Sequence, residues 1–364
     1  MDMTWVEIDI KAILHNVKEI RRMLGKDVKI CAVIKDNAYG HGLIPVAAAL
    51  QKAGVETLGI VDISEAVALR KSGIKLPILN LVSVLPFCAR DIVKYQISQS
   101  VSDLELVRAL DKEAKKQKTV AGIHIEIDTG MGRLGVASEN FEDFYDQVKK
   151  FSNVKVEGVF THLASSDVDP EFTCKQISAF EYSSFLMPES IIKHTLNSAG
   201  IINFSGAGFD MARPGLMLYG LHNNSGENKI VKLKPALSWK TKVLLVRNYK
   251  KSSSISYGST YRTKRDTKIA VLGVGYGSGY NRLLSNNGAV LINGKKYPIR
   301  GRVCMDLTMV EVGKNSKIKA GDTAVLIGKS KNKTLRTEEL AANCKTIAHE
   351  IVCAINEKVK KVYL

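Results

Sequence analysis

The stretch Val28–Gly42 reads VKICAVIKDNAYGHG: a short apolar run, one lysine at its end, then a loop containing Asn37, Tyr39, Gly40, His41 and Gly42. A Val- and Ile-rich run of this length reads as a buried strand. A strand interior of Val28, Ile30, Ala32, Val33 and Ile34 cannot host a cation freely. Lys35, at its carboxyl end, therefore either carries its ammonium out to water or sits partly desolvated. Desolvation lowers a lysine's pKa, and the neutral amine can then form a Schiff base with a carbonyl or move a proton near neutral pH.

Outward from this strand, residues 28–220 alternate apolar runs with helical patterns. Eight strands are expected, at 28–34, 57–62, 77–81, 97–101, 120–128, 154–160, 191–196 and 209–213. Helices of 3.6-residue spacing fall between most of them, among them Ser64–Ser72, Asp103–Lys118, Phe141–Phe151 and Cys174–Phe185. Eight strand–helix units make an α/β fold, a (β/α)8 barrel of the TIM type. After about residue 232 the pattern turns to short strand-like runs punctuated by turns, with Asn293-Gly294 as a hairpin dipeptide. The expected organisation is a barrel over 11–230 and a mainly β domain over 231–364, the latter joined by an N-terminal strand within 1–10.

The chain has 364 residues, enough for two cores. No run reaches the roughly 18 apolar residues of a membrane span, and the first residues lack a signal-peptide layout, so a cytoplasmic protein with no membrane partner is expected. Its six cysteines are dispersed, with no CxxC and no Cys/His pair at zinc spacing, so no structural metal is expected. Fifty-three basic against 36 acidic residues give +17. The lysines are scattered through amphipathic helices without an aromatic-interleaved stripe, which argues for a solvated surface rather than a nucleic-acid site. A positive field would still attract small anions such as carboxylates and phosphates.

Active sites of such barrels lie at the carboxyl ends of the strands. Lys35 falls there, as do Glu126 to Arg133, Thr161-His162, His194 with Asn197-Ser198, and Arg213-Pro214-Gly215. Taken singly, each has a plain structural explanation as a cap, a satisfied rim histidine or a surface arginine. Their convergence on one rim is harder to dismiss.

KDNAYGHG at Lys35–Gly42 resembles the cofactor-lysine signature of the alanine racemases, which are pyridoxal 5'-phosphate (PLP) enzymes built from a barrel and a β domain. DTGMGRLG (128–135), THLASSD (161–167), NSA (197–199) and ARPGLMLYG (212–220) are also similar to that family, as are SYGSTY (256–261), GYGSGY (275–280) and GRVCMD (301–306). The resemblance runs through the whole chain in order. It implies that Lys35 binds PLP and is one catalytic base, while Tyr39, Ser198, Gly215 and Leu216 hold the phosphate. Arg213 would face the pyridine nitrogen, hydrogen-bonding without protonating it. Tyr257, from the other subunit of a homodimer, would be the second base, supported by His162 and Arg213 with His194 behind them. Arg133 and the backbone of Met305 would hold the substrate carboxylate, Tyr276 would shape the entrance, and Asn197 and His349 would complete the cofactor site. The implied role is supply of D-alanine, a peptidoglycan precursor.

Three positions depart from the family pattern. Asp36 follows the cofactor lysine where alanine is usual, and strand alternation would turn it away from the site. Glu126 stands where many members carry a carbamylated lysine, and a direct pair with Arg133 is expected. His349 replaces a tyrosine that contacts the phosphate and limits side-chain size, which leaves a broad-specificity or serine racemase as an alternative. A PLP carrier resembling the barrel alone is a further alternative, against which stand Tyr257, Tyr276 and Met305 in the second domain.

Overall fold

Eight parallel strands pair in sequence order and close on themselves: Lys29–Val33, Thr57–Ile60, Ile78–Asn80, Ser98–Val101, Ala121–Asp128, Val154–Phe160, Ile192–His194 and Met211–Ala212. Closure comes from Met211 and Ala212, which lie opposite Lys29 and Ile30 of the first strand. All eight expected strands are present, trimmed by a residue or more at most of their ends. The computed structural model describes residues 3–185, 187–222 and 231–364. The expected boundary at 230/231 abuts residues 223–230, which lie outside the described residues, as do Met1 and Asp2.

Aspartates start several of the barrel helices. Asp9, Asp62, Asp103 and Asp169 accept from the backbone N–H of Ala12, Ser64, Leu106 and Phe172. Such caps contribute about 1 kcal/mol each and set where each strand-to-helix turn ends. The eighth strand is followed only by the short turn Leu216–Tyr219. Helix Ile10–Leu24, from before the first strand, covers that gap and packs on this turn and on helix Leu43–Ala53. Buried Asn16 fastens it there, donating to Leu218 O and Lys234 O and accepting from Lys234 N.

The second unit is a mainly antiparallel sheet, chiefly of strands Leu237–Tyr249, Thr267–Leu272, Ala289–Ile292, Thr308–Glu311 and Thr323–Ser330. Strand Thr4–Ile8 lies within it, antiparallel to Leu237–Tyr249 and parallel to Lys360–Tyr363. Helix Ala348–Cys353 crosses from this unit to the barrel rim and packs on the loop after Lys35. Among the described residues no helix is long and apolar enough to cross a membrane.

Candidate active site

The loop after the first barrel strand determines the site's floor. The strand stops at Val33, and Asp36, Asn37, Ala38 and Tyr39 then take φ values of 53° to 54°, one turn of left-handed helix made by non-glycine residues. Each such residue costs about 1–2 kcal/mol, so the turn needs fasteners. Glu65 Oε1 accepts from Asn37 N at 2.6 Å, and Asn37 Oδ1 accepts from Leu43 N at 2.7 Å. Asp36 is exposed, as expected, but this turn rather than strand alternation puts it there. Lys35 and Tyr39 are left facing a cavity of about 350 Å³ at the carboxyl ends of the strands.

That cavity is also lined by Glu126, Arg133, His162, Asn197, Ser198, Arg213, Gly215 and Leu216 of the barrel, and by His349 from the second unit. His194 lies buried beneath it. Every barrel residue to which the resemblance assigns a site role is thus in or under one pocket. Asn197 caps helix Ser198–Asn203, accepting from Gly200 N and Ser166 Oγ and donating to Leu163 O. It fixes Ser198, whose Oγ accepts from the N–H of Gly215 and of Met217. A Cβ at Gly215 would lie 2.5 Å from Tyr39 Oη, so glycine keeps this end of the pocket open beside the phenol.

Arg213 is 4% exposed, and its Nη groups are fully committed. Nη1 donates to His194 Nδ1 and His194 O, and Nη2 to Thr161 O and Thr195 O, at 2.6–3.0 Å. Among the described residues its remaining N–H, on Nε, has no partner in the chain. Burial lowers the guanidinium's pKa to about 10, with the Cys31 thiol and Glu126 opposing the fall, so it stays charged at neutral pH. Among the described residues no hydrogen bond joins Arg213 to His162; the guanidinium bonds inward to His194 and to the Thr161 and Thr195 carbonyls. Burial, followed by the charges of Arg213, Arg133 and Lys35, holds His162 neutral with a pKa of about 3.

Glu126 does not pair with Arg133: no ion pair joins them, and Glu126 Oε2 is buried without a hydrogen-bond partner. Burial raises its pKa to about 7 against the pull of Arg213 and Arg133. His349 Nδ1 is likewise buried and unpartnered. Burial and Lys35 lower its pKa, with Asp167 opposing.

Tyr257, Tyr276 and Met305 do not reach this pocket. They gather on an exposed face of the second unit, 71%, 42% and 57% exposed respectively. The N–H groups of Tyr276 and Gly277 donate to the carbonyls of Cys304 and Met305, and Ser256 Oγ donates to Arg302 O, so three loops are stitched together there. The sequence reading missed His124, whose Nδ1 lies 2.9 Å from His194 Nε2. Its signal was present, since His124 and Glu126 are two residues apart on one strand and so share a face.

The amino-terminal domain model of the alanine racemases matches residues 8–223, and their carboxy-terminal domain model matches residues 236–363. The chain belongs to the alanine racemase family. Alanine racemase of Halothermothrix orenii is 42% identical over 365 residues, 99% of this chain and 96% of that protein. Among solved structures, alanine racemase of Clostridium difficile superposes with a TM-score of 0.94 at 34% identity, covering 100% of this chain and 96% of that one. Alanine racemase of Bartonella henselae with covalently bound pyridoxal phosphate superposes at 0.91 with 27% identity, covering both chains fully. This racemase therefore shares with these relatives both the barrel and the β domain.

Proposed function

We propose that the racemase interconverts L- and D-alanine in the 350 Å³ pocket by a two-base route, with PLP held there and a second copy of the chain completing the site. The observation that carries this reading is the single pocket lined jointly by Lys35, Tyr39, Arg133, His162, Ser198, Arg213 and His349. These residues fit the cofactor. Lys35 Nζ would hold it covalently. Tyr39, Ser198, Gly215 and Leu216 supply hydroxyls, backbone and open space at which a dianion can approach closely. Asn197 orients Ser198, and two buried polar atoms, Glu126 Oε2 and His349 Nδ1, are without partners in the chain. PLP bound there supplies an electron sink that acidifies the Cα–H of an amino acid.

The protein's own groups do the rest. Arg213 would offer its Nε–H to the pyridine nitrogen and, because arginine does not surrender its proton, would hydrogen-bond that nitrogen without protonating it. Arg133 and the backbone of Met305 from the second copy hold the carboxylate. Lys35 Nζ removes or returns the Cα proton on one face. Tyr257 Oη of the second copy does so on the other, with His162 nearby and His194 supporting Arg213. Each pass takes one proton from Cα and gives one back from the opposite side, so composition is unchanged. Tyr276 of the second copy narrows the entrance. This reading takes the chain as two units, 11–230 and 231–364 joined by 1–10, acting as a cytoplasmic homodimer that supplies D-alanine for peptidoglycan.

Tyr257→Phe tests it. The variant should retain PLP and solvent-deuterium exchange at Cα of one enantiomer while racemisation falls about 10²–10⁴-fold, the usual worth of a general acid or base. Unimpaired racemisation would remove Tyr257 from the mechanism, and a carrier protein would not respond at all.

A further inference from the structure

A line of three side chains runs from the pocket through the barrel interior to its opposite mouth. Arginine has only N–H groups to offer, so at the 2.7 Å contact between Arg213 Nη1 and His194 Nδ1 the histidine nitrogen accepts. The His194 proton therefore sits on Nε2, and that N–H donates to His124 Nδ1 at 2.9 Å. His124 then carries its own proton on Nε2. It also lines a second cavity, of about 530 Å³, among the strand starts at the amino-terminal mouth, together with Lys29, Lys155 and Glu157.

We infer that His124 is a positioning residue for Arg213: by accepting from His194 it locks the one tautomer of His194 that can accept from the guanidinium, and so aims the free Nε–H of Arg213 into the pocket. The inference deepens the proposed function and rests on its assignment of Arg213 to the pyridine nitrogen. Three features of the fold serve this arrangement. Gly158 on the neighbouring strand leaves room for the ring, since a Cβ there would lie 2.3 Å from His124 Nδ1. Phe160 stacks on His194 at 4.9 Å and lies under the Arg213 guanidinium at 5.0 Å, so neither group can swing freely. Both imidazoles are held neutral, first by burial and then by the Arg213 charge, with His124 lowered to about 3 and His194 well below its ordinary value. Without an acceptor at position 124, the His194 Nε2–H is buried and unpaired. Nothing then holds this tautomer and orientation: the other tautomer turns an N–H, and a flipped ring a C–H, towards the guanidinium, and either removes the acceptor that Arg213 Nη1 uses.

The direct test is ¹⁵N NMR of histidine-labelled protein, with and without PLP. His194 and His124 should both appear as neutral Nε2–H tautomers, unprotonated down to about pH 5. His194 found as Nδ1–H or as imidazolium overturns the inference. In the PLP-loaded enzyme, His124→Leu should alter the visible absorption of the bound cofactor and lower kcat about ten- to hundredfold, the usual effect of losing a supporting partner. His124→Asn, whose Oδ1 falls near the position of Nδ1, should restore both. A His124→Leu enzyme with unchanged absorption and kcat overturns the positioning role, as does failure of His124→Asn to restore them. Arg213→Lys separates the two levels: if it too leaves the absorption unchanged, the assignment of Arg213 to the pyridine nitrogen is what fails.

Discussion

Glu126 is the residue at which this site departs most from a simple ion pair. The residue is 3% exposed, its Oε2 is buried without a partner, and its pKa rises to about 7 because burial outweighs the attraction of Arg213 and Arg133. A carboxyl whose folded pKa lies above its unfolded value binds more protons when folded. Its contribution to stability is therefore fully present below the unfolded value of 4.5 and is lost as pH rises through about 7. The full difference is about 3 kcal/mol. Glu126→Gln should abolish that part of the pH dependence, so that urea unfolding at pH 5 and pH 8 differs by about 2 kcal/mol less than in the wild type. An unchanged pH slope in the variant would mean that Glu126 does not stay neutral up to about pH 7 in the folded protein.

The decisive element is the left-handed turn 36–39, together with the helix Ala348–Cys353 laid across it. Gly40 follows the turn at φ 75°, and a Cβ there would lie 2.4 Å from Val352 O, so the helix can approach only because position 40 is glycine. That approach brings the His349 ring to 5.8 Å from the Tyr39 ring. Gly40→Ala should cost about 2 kcal/mol or more, from backbone strain and the displaced helix. The same displacement should weaken retention of PLP on gel filtration. A stable variant that keeps PLP normally would show that the helix can yield without opening the pocket.

For the whole molecule, the decisive fact is that the chain divides its chemistry between two places. Lys35 opens into the barrel-rim pocket, whereas Tyr257, Tyr276 and Met305 stand exposed on the second unit. If two copies complete each other, inactive Lys35→Ala and Tyr257→Phe proteins should regain activity when mixed. Random exchange of subunits makes half the dimers mixed, each with one intact site of two, so about a quarter of the wild-type rate should return. No recovery after proven subunit exchange would place both bases in one chain.

Much of this was legible along the chain. The eight apolar strand runs repeat at the spacing of strand–helix units, and burial on both faces leaves little freedom in where such runs begin. The residues at their carboxyl ends were legible as a rim for the same reason. The backbone of the Lys35 loop was not, because four non-glycine residues at positive φ run against every local preference and persist only where Glu65 and Asn37 fasten them. Nor were the absent Glu126–Arg133 pair, the inward commitment of Arg213 to His194, or the place of His124 behind it. Fold class and the chemical types gathered at the rim follow from the order of residues alone, because periodicity and strand ends are local properties of the chain. Which of those groups touch, which are neutral and which are left unpartnered follows from the folded arrangement, because hydrogen bonding and desolvation depend on neighbours brought together from distant parts of the chain.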